Sequence, residues 1–251
     1  MTDFFAQRGF AVRFGWGPVE AAELASPGGC LVVVDVLSFT TAVSVVVEGG
    51  GLVLPYRWRD ESARAHADEH GAKLAVGRRQ ATEESPWTLS PAALRAAPAP
   101  GRLVLPSPNG STIAAAAGEG TVVAACLRNA RAVAGWIGAR GYGTAERPVV
   151  VIASGERWPD GSLRPCLEDQ LGAGAVLAAL ATGEGFSPEA EAAARTYEVT
   201  ADVAGAIRRC GGGVELGSQG FGGDVDIAVE ADSSAVVPVL EKGVFTDAAE
   251  H

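Results

Sequence analysis

Short runs of apolar, often β-branched residues alternate with alanine-rich or amphipathic stretches along the chain, the rhythm of strands followed by helices. Strands are expected at residues 11–15, 31–34, 52–54, 73–76, 103–105, 121–125 and 149–153. Helices are expected at 19–25, 42–47, 60–70 and 91–97, after Thr112, from Asn129 to Ala139, and over 167–181. Residues 188–210 read as mostly helical. The tail reads as a strand near Val214, a glycine loop at 220–223, a strand over Ile227–Val229 and a final apolar piece at Val236–Leu240. This alternation predicts an α/β fold with a largely parallel sheet covered on both faces and right-handed crossovers. No long linker or fixed-period repeat interrupts it, so one domain spanning residues 1–251 is expected.

Leu31–Val34 is apolar without a break, as in a strand buried on both faces. Asp35 then ends the run with a charge, which is costly at a buried position unless it is paired or holds a metal. Ser38, Thr40 and Thr41 follow, suited to a helix start. Ligands of α/β sheets bind beyond the carboxyl ends of the strands, near such helix starts. The plainer alternative is an Asp that only caps the next helix.

A hydrophobic fraction of 47% with 33 glycines fits a well-buried, turn-rich globular protein. A formal charge of −10 argues against nucleic acid or an anionic membrane as the main partner. An anionic substrate would then need local arginines or a divalent cation. Cys30, Cys126, Cys166 and Cys210 are scattered without CxxC pairs, as expected of a reducing cytosol. Met1–Phe5 has no basic segment leading into an apolar core, and the apolar stretch 31–47 falls short of the ~20 residues a membrane span needs. A soluble, cytoplasmic protein is expected, with homo-oligomerisation left open.

Four strands run into polar loops: Asp35 with Ser38–Thr41, Ser107–Thr112, Arg128–Asn129, and Ser154–Arg157. In a parallel sheet these loops share one edge, where carboxylates with room for water suit Mg²⁺. Glu168 and Asp169 open a helix but diverge by about 100° around it. One of them can bind metal while the other supports it, or both can simply complement the helix dipole. Asn109-Gly110-Ser111-Thr112 is either a phosphate cradle or a plain turn. Asp224 and Asp226 are either further metal ligands or a solvated turn. His66-Ala-Asp-Glu69-His70 matches the zinc pattern H-x-x-E-H, but its short, charged, alanine-rich helix reads as solvent-facing and we set it aside. The P-loop, C-x5-R, second-aspartate and GxSxG patterns of other phosphatases and hydrolases are absent.

The ordered segments Val34-Asp35-Val36-Leu37 with Thr40-Thr41, Ser90-Pro91, Asn109-Gly110-Ser111, Asn129-Ala130, Ser154-Gly155-Glu156, Leu167-Glu168-Asp169 with Ala173-Gly174, and Asp226-Ile227 before Val237-Pro238 resemble the 2-phosphosulfolactate phosphatase family. The resemblance implies a three-layer α/β/α sandwich with a largely parallel, mixed sheet. It also implies Mg²⁺-dependent hydrolysis of a phosphate monoester on a small 2-hydroxy acid, giving sulfolactate on the route to coenzyme M. Departures fall at Ser38, where the family usually has arginine, at Val76-Gly77-Arg78-Arg79, and at Pro165-Cys166. Serine cannot replace a bidentate arginine, and Arg78, Arg128 or Arg157 are the neighbours able to compensate.

On this reading Asp35, Glu156 and Asp169 are the catalytic acids, and Asp35, Glu156, Glu168 and Asp169 are the candidate ligands of Mg²⁺. Ser38, Thr40, Thr41, Asn109, Gly110, Ser111, Thr112, Arg128 and Asn129 would bind the phosphate, with Arg157 on the substrate carboxylate. The alternative is a non-catalytic relative that binds a phosphorylated or acidic metabolite.

Overall fold

The computed structural model describes residues 3–58, 60–118, 120–180 and 185–248. The first half of the chain runs β1 (Val12–Trp16), α1 (Gly17–Leu24), β2 (Cys30–Val34), α2 (Phe39–Glu48), β3 (Leu52–Tyr56), α3 (Glu61–Glu69), β4 (Lys73–Leu74), α4 (Pro91–Ala96), β5 (Arg102–Pro106) and α5 (Gly110–Ala114). Next come β6 (Thr121–Ala125), α6 (Ala130–Ala139), β7 (Val149–Ala153) and a small hairpin of β8 (Glu156–Arg157) and β9 (Leu163–Arg164). The remainder is α7 (Leu167–Ala179), α8 (Pro188–Val199), α9 (Val203–Arg209), α10 (Gly211–Ser218), α11 (Gly222–Ala228), β10 (Pro238–Glu241) and β11 (Val244–Asp247).

Nine strands form one mixed sheet in the order β1-β7-β2-β6-β10-β11-β3-β5-β4. The pleat sends alternate side chains to opposite faces. Cys30, Val32 and Val34 enter one core, with α6, α7 and α8. Leu31 and Val33 enter the other, with α1, α2 and α5. Two apolar faces, each roofed by helices, make the three-layer arrangement that the alternation predicts. Close approach requires glycine at Gly172 on α7, where a Cβ would lie 2.5 Å from Val36 and 2.9 Å from Val34.

The register aligns the carboxyl ends of β1, β7, β2 and β6, so their following loops share one edge. The strands β3, β5 and β4 form a second parallel set. Between the sets, β10 and β11 are antiparallel to each other and to their outer neighbours β6 and β3. The second set therefore runs opposite to the first, which a simple parallel sheet does not anticipate. Sheet twist of about 20–25° per strand accumulates to roughly 100–125° over the five steps from β2 to β5, enough to swing the loop after β5 back toward the first set.

The expected strands near Val214 and over Ile227–Val229, and the loop at 220–223 between them, are instead α10 and α11. Glycine and valine weigh against helix in isolation, but here packing decides. A Cβ at Gly213 would strike the Ile207 carbonyl at the end of α9. Val225 and Ala228, three residues apart, turn together into the first core. The apolar tail became β10, and its partner β11 was not expected. Ala181, the expected end of the long helix, and the first two residues lie outside the described residues. No helix is long and apolar enough to cross a membrane among the described residues.

Candidate active site

The loops after β2, β5 and β7 converge on a cleft of about 190 Å³, closed on one side by α10. Asp35, Ser38, Asn109, Glu156 and Glu168 line it, together with Arg78 and Arg164.

Asp35 is half-buried at the end of β2. Its Oδ1 accepts the amides of Ser38 (3.0 Å) and Phe39 (3.2 Å), so one oxygen does serve the start of α2. Among the described residues Oδ2 takes no hydrogen bond. Burial pushes this carboxyl up to about 6 from 3.8; the Glu156 charge adds to the rise, while the Ser38 and Phe39 amides and Arg78 oppose it. The folded state thus holds this proton more tightly than the unfolded chain. The resulting stability is full below about 3.8 and is lost as pH rises toward about 6. In chelator-treated protein, the Tm difference between wild type and Asp35→Asn should fall across that window; a flat difference would show that Asp35 titrates normally.

Asp169, in the first turn of α7, is buried, and both its oxygens are taken. Oδ1 accepts the Val36 amide at 2.7 Å and Oδ2 the Gly155 amide at 2.8 Å. It ties the β2 and β7 loops together through these two amides and does not line the cleft. Its carboxyl is raised well above the usual range by burial and by the neighbouring Asp35 and Glu168 charges, against the pull of the two amides. Gly155 makes this approach with φ +62°, and a Cβ there would meet the Arg164 carbonyl at 2.9 Å.

Glu168 points along the cleft wall, where its Oε2 meets the Cys210 thiol at 3.0 Å. Burial pushes that thiol up to about 11, so at neutral pH it donates to the carboxylate. Asn109 donates from Nδ2 to Glu156 Oε2 at 3.0 Å, joining the loops after β5 and β7.

Several expected phosphate contacts belong to the scaffold. Arg128 is 2% exposed and does not line the cleft, bonding Ser44 (2.8 Å), Glu48 (2.7 Å) and Glu230 (3.3 Å). Asn129 is buried on the Cys126 amide and the Ala124 and Val236 carbonyls. Thr40 and Thr41 hydroxyls bond backbone carbonyls of Asp35 and Val36. Thr112 bonds the Pro108 carbonyl at 2.5 Å. Gly110 packs against the Phe39 ring, and Ser111 is buried with its hydroxyl unpartnered. Arg157 projects from the hairpin to the Gly161 carbonyl and does not line the cleft. A run of polar residues after a strand does not say which of them turn inward.

The cations that do reach the cleft are Arg78, in the loop after β4, and Arg164, on β9. Arg78 Nη2 donates to Ser38 Oγ at 2.6 Å, and its Nε donates to Asp224 Oδ2 at 3.1 Å. Buried Asp224 also accepts from Ala92 N and Ser90 Oγ, so it anchors an arginine. Asp226 is exposed and paired with Arg208 at 3.0 Å. Arg164 on β9 was not anticipated; its guanidinium lies 5.6 Å from the Trp158 ring. Ser38 and Arg78 meet in one hydrogen bond, so Arg78 brings a guanidinium to the loop where the resemblance leads one to expect an arginine at residue 38.

A three-layer α/β fold with acids and two guanidinium groups on one cleft defines a protein built to receive a small anion. A family model described as 2-phosphosulpholactate phosphatase matches residues 18–243. The chain belongs to that phosphatase family, whose members act on a small phosphorylated substrate. No curated protein matches it.

Proposed function

We propose that this protein is a cytoplasmic, Mg²⁺-dependent phosphatase that hydrolyses a phosphate monoester of a small 2-hydroxy acid, 2-phosphosulfolactate or a close analogue. The observation that carries the reading is the meeting of Asp35, Glu156 and Glu168 with Arg78 and Arg164 on one cleft. The donor set suits the ion. All three acids offer hard oxygens, and Mg²⁺ binds through one or two carboxylates while keeping several waters. The acids do not close into a three-ligand cage, which an octahedral, water-rich ion does not need. Asp35 Oδ2 with one of Glu156 and Glu168 would hold Mg²⁺, which when bound supplies Lewis-acid polarisation of the phosphoryl group.

The chain's own groups supply the rest. Arg78, fixed by Asp224 and Ser38, presents its remaining N–H groups to phosphate oxygens, and Arg164 faces the acid end of the substrate. Asn109 holds Glu156 in place, and Asp169 holds the loops that carry Asp35 and Glu156. The guanidinium at Ser38 weighs against a relative that has lost turnover with the arginine at that position.

Purified protein with Mg²⁺ should release phosphate from 2-phosphosulfolactate or 2-phospholactate, and binding of these esters without release across several metals would overturn the proposal. Arg78→Lys keeps a cation beside buried Asp224 but loses the planar fork. Loss of a charge-assisted hydrogen bond of about 1.5–3 kcal/mol should raise KM roughly tenfold or more, with a smaller change in kcat. An unchanged KM would remove Arg78 from the substrate site.

A further inference from the structure

The residues set aside at the end of α3 form a compact group of possible metal ligands. His66, Glu69 and His70 each place one ligand atom so that all three lie within 4.8 Å of one another, and no other group of three does so among the described residues. Spacings of three and four residues bring these side chains to one helix face. None of them lines the cleft.

Two further contacts prepare the imidazoles as ligands. His70 Nδ1 lies 2.9 Å from the His66 carbonyl. A carbonyl only accepts, so Nδ1 carries the hydrogen and Nε2 keeps its lone pair, the arrangement found behind metal-bound histidines. His66 stacks on Tyr56 with ring centroids 4.7 Å apart and planes 23° apart, and Tyr56 is itself tethered to Ser62 at 2.9 Å. The group sits at the carboxyl end of α3, where the helix dipole favours a cation.

We propose that His66, Glu69 and His70 form a second cation site, separate from the cleft, that takes a borderline divalent ion of the Zn²⁺ class. Two imidazoles and one carboxylate are a donor set suited to Zn²⁺, with Co²⁺ as its spectroscopic substitute, and unlike the all-oxygen set of the cleft. Bound there, the ion bridges the last turn of α3. Water completes the coordination, because three protein ligands leave a position open.

Calorimetric titration of the full chain with Zn²⁺ in excess Mg²⁺ should give one equivalent bound. His70→Ala and Glu69→Gln, both on the exposed helix face, should each weaken that binding at least tenfold and leave phosphate release unchanged. Co²⁺ should give visible d–d bands without the near-ultraviolet absorption of a thiolate ligand, and His70→Ala should remove them. No Zn²⁺ binding in the wild type would overturn the proposal. So would Zn²⁺ binding that survives His70→Ala and is lost in Cys210→Ser, which would put the ion on the thiol beside Glu168. Because the readout is binding, its outcome is independent of whether the cleft hydrolyses phosphate esters.

Discussion

Asp35→Asn should lower kcat for phosphate release by roughly 10²–10⁴-fold, the span associated with a positioned acid or base in the reacting site. The substitution is selective because Asp35 does two things with two oxygens. An asparagine oxygen can still accept the Ser38 and Phe39 amides that Oδ1 accepts at 3.0 and 3.2 Å, so the start of α2 survives. What is lost is the negative charge on the Oδ2 side. The variant should fold at least as well as the wild type, since it removes one of the charges that raise the Asp169 carboxyl. Circular dichroism and a melting curve establish the first point, and steady-state phosphate release with Mg²⁺ the second. A folded Asp35→Asn protein that turns over near the wild-type rate would reduce Asp35 to a helix cap.

Asp169→Ala should act mainly on stability. It strands the Val36 and Gly155 amides, whose bonds to Asp169 are 2.7 and 2.8 Å. A buried donor left unmet costs about 1–3 kcal/mol, so the pair costs roughly 2–6 kcal/mol, against a typical total of 5–15 kcal/mol. Relief of repulsion with Asp35 and Glu168 offsets part of this. Asp169→Asn should fall between, because its amide nitrogen would face a backbone N–H. Urea unfolding gives the stability. Activity should fall with it, as the two loops lose their shared anchor. An unchanged midpoint with abolished turnover would instead give Asp169 a direct part in the chemistry.

The parallel core was legible because its signal is local. Leu31–Val34 and Val149–Ala153 are continuous apolar runs, and every residue in both is buried. Asp35 stood out as a charge at the end of such a run. Arg78 was named as a neighbour able to make up for Ser38, and it does bond that serine. Its anchor on Asp224, 146 positions away, and the place of Arg164 were not legible, because they depend on loops with no periodic pattern. Arg128 misled for the complementary reason. Its place after a strand fits a site residue, but the carboxylates of Glu48 and Glu230 that claim it lie far off in sequence. The helices α10 and α11 were hidden by their glycines, which permit close packing that composition alone reads as loop.

Strands β10 and β11 lie in the middle of the sheet although they come last of its strands in the chain. On a ribosome, the two parallel halves would therefore emerge with raw inner edges and stay unjoined until the closing hairpin arrives. Assembly of this protein thus waits on its most distant contacts, a topology that favours slow folding and leaves the nascent chain dependent on protection from edge-to-edge association.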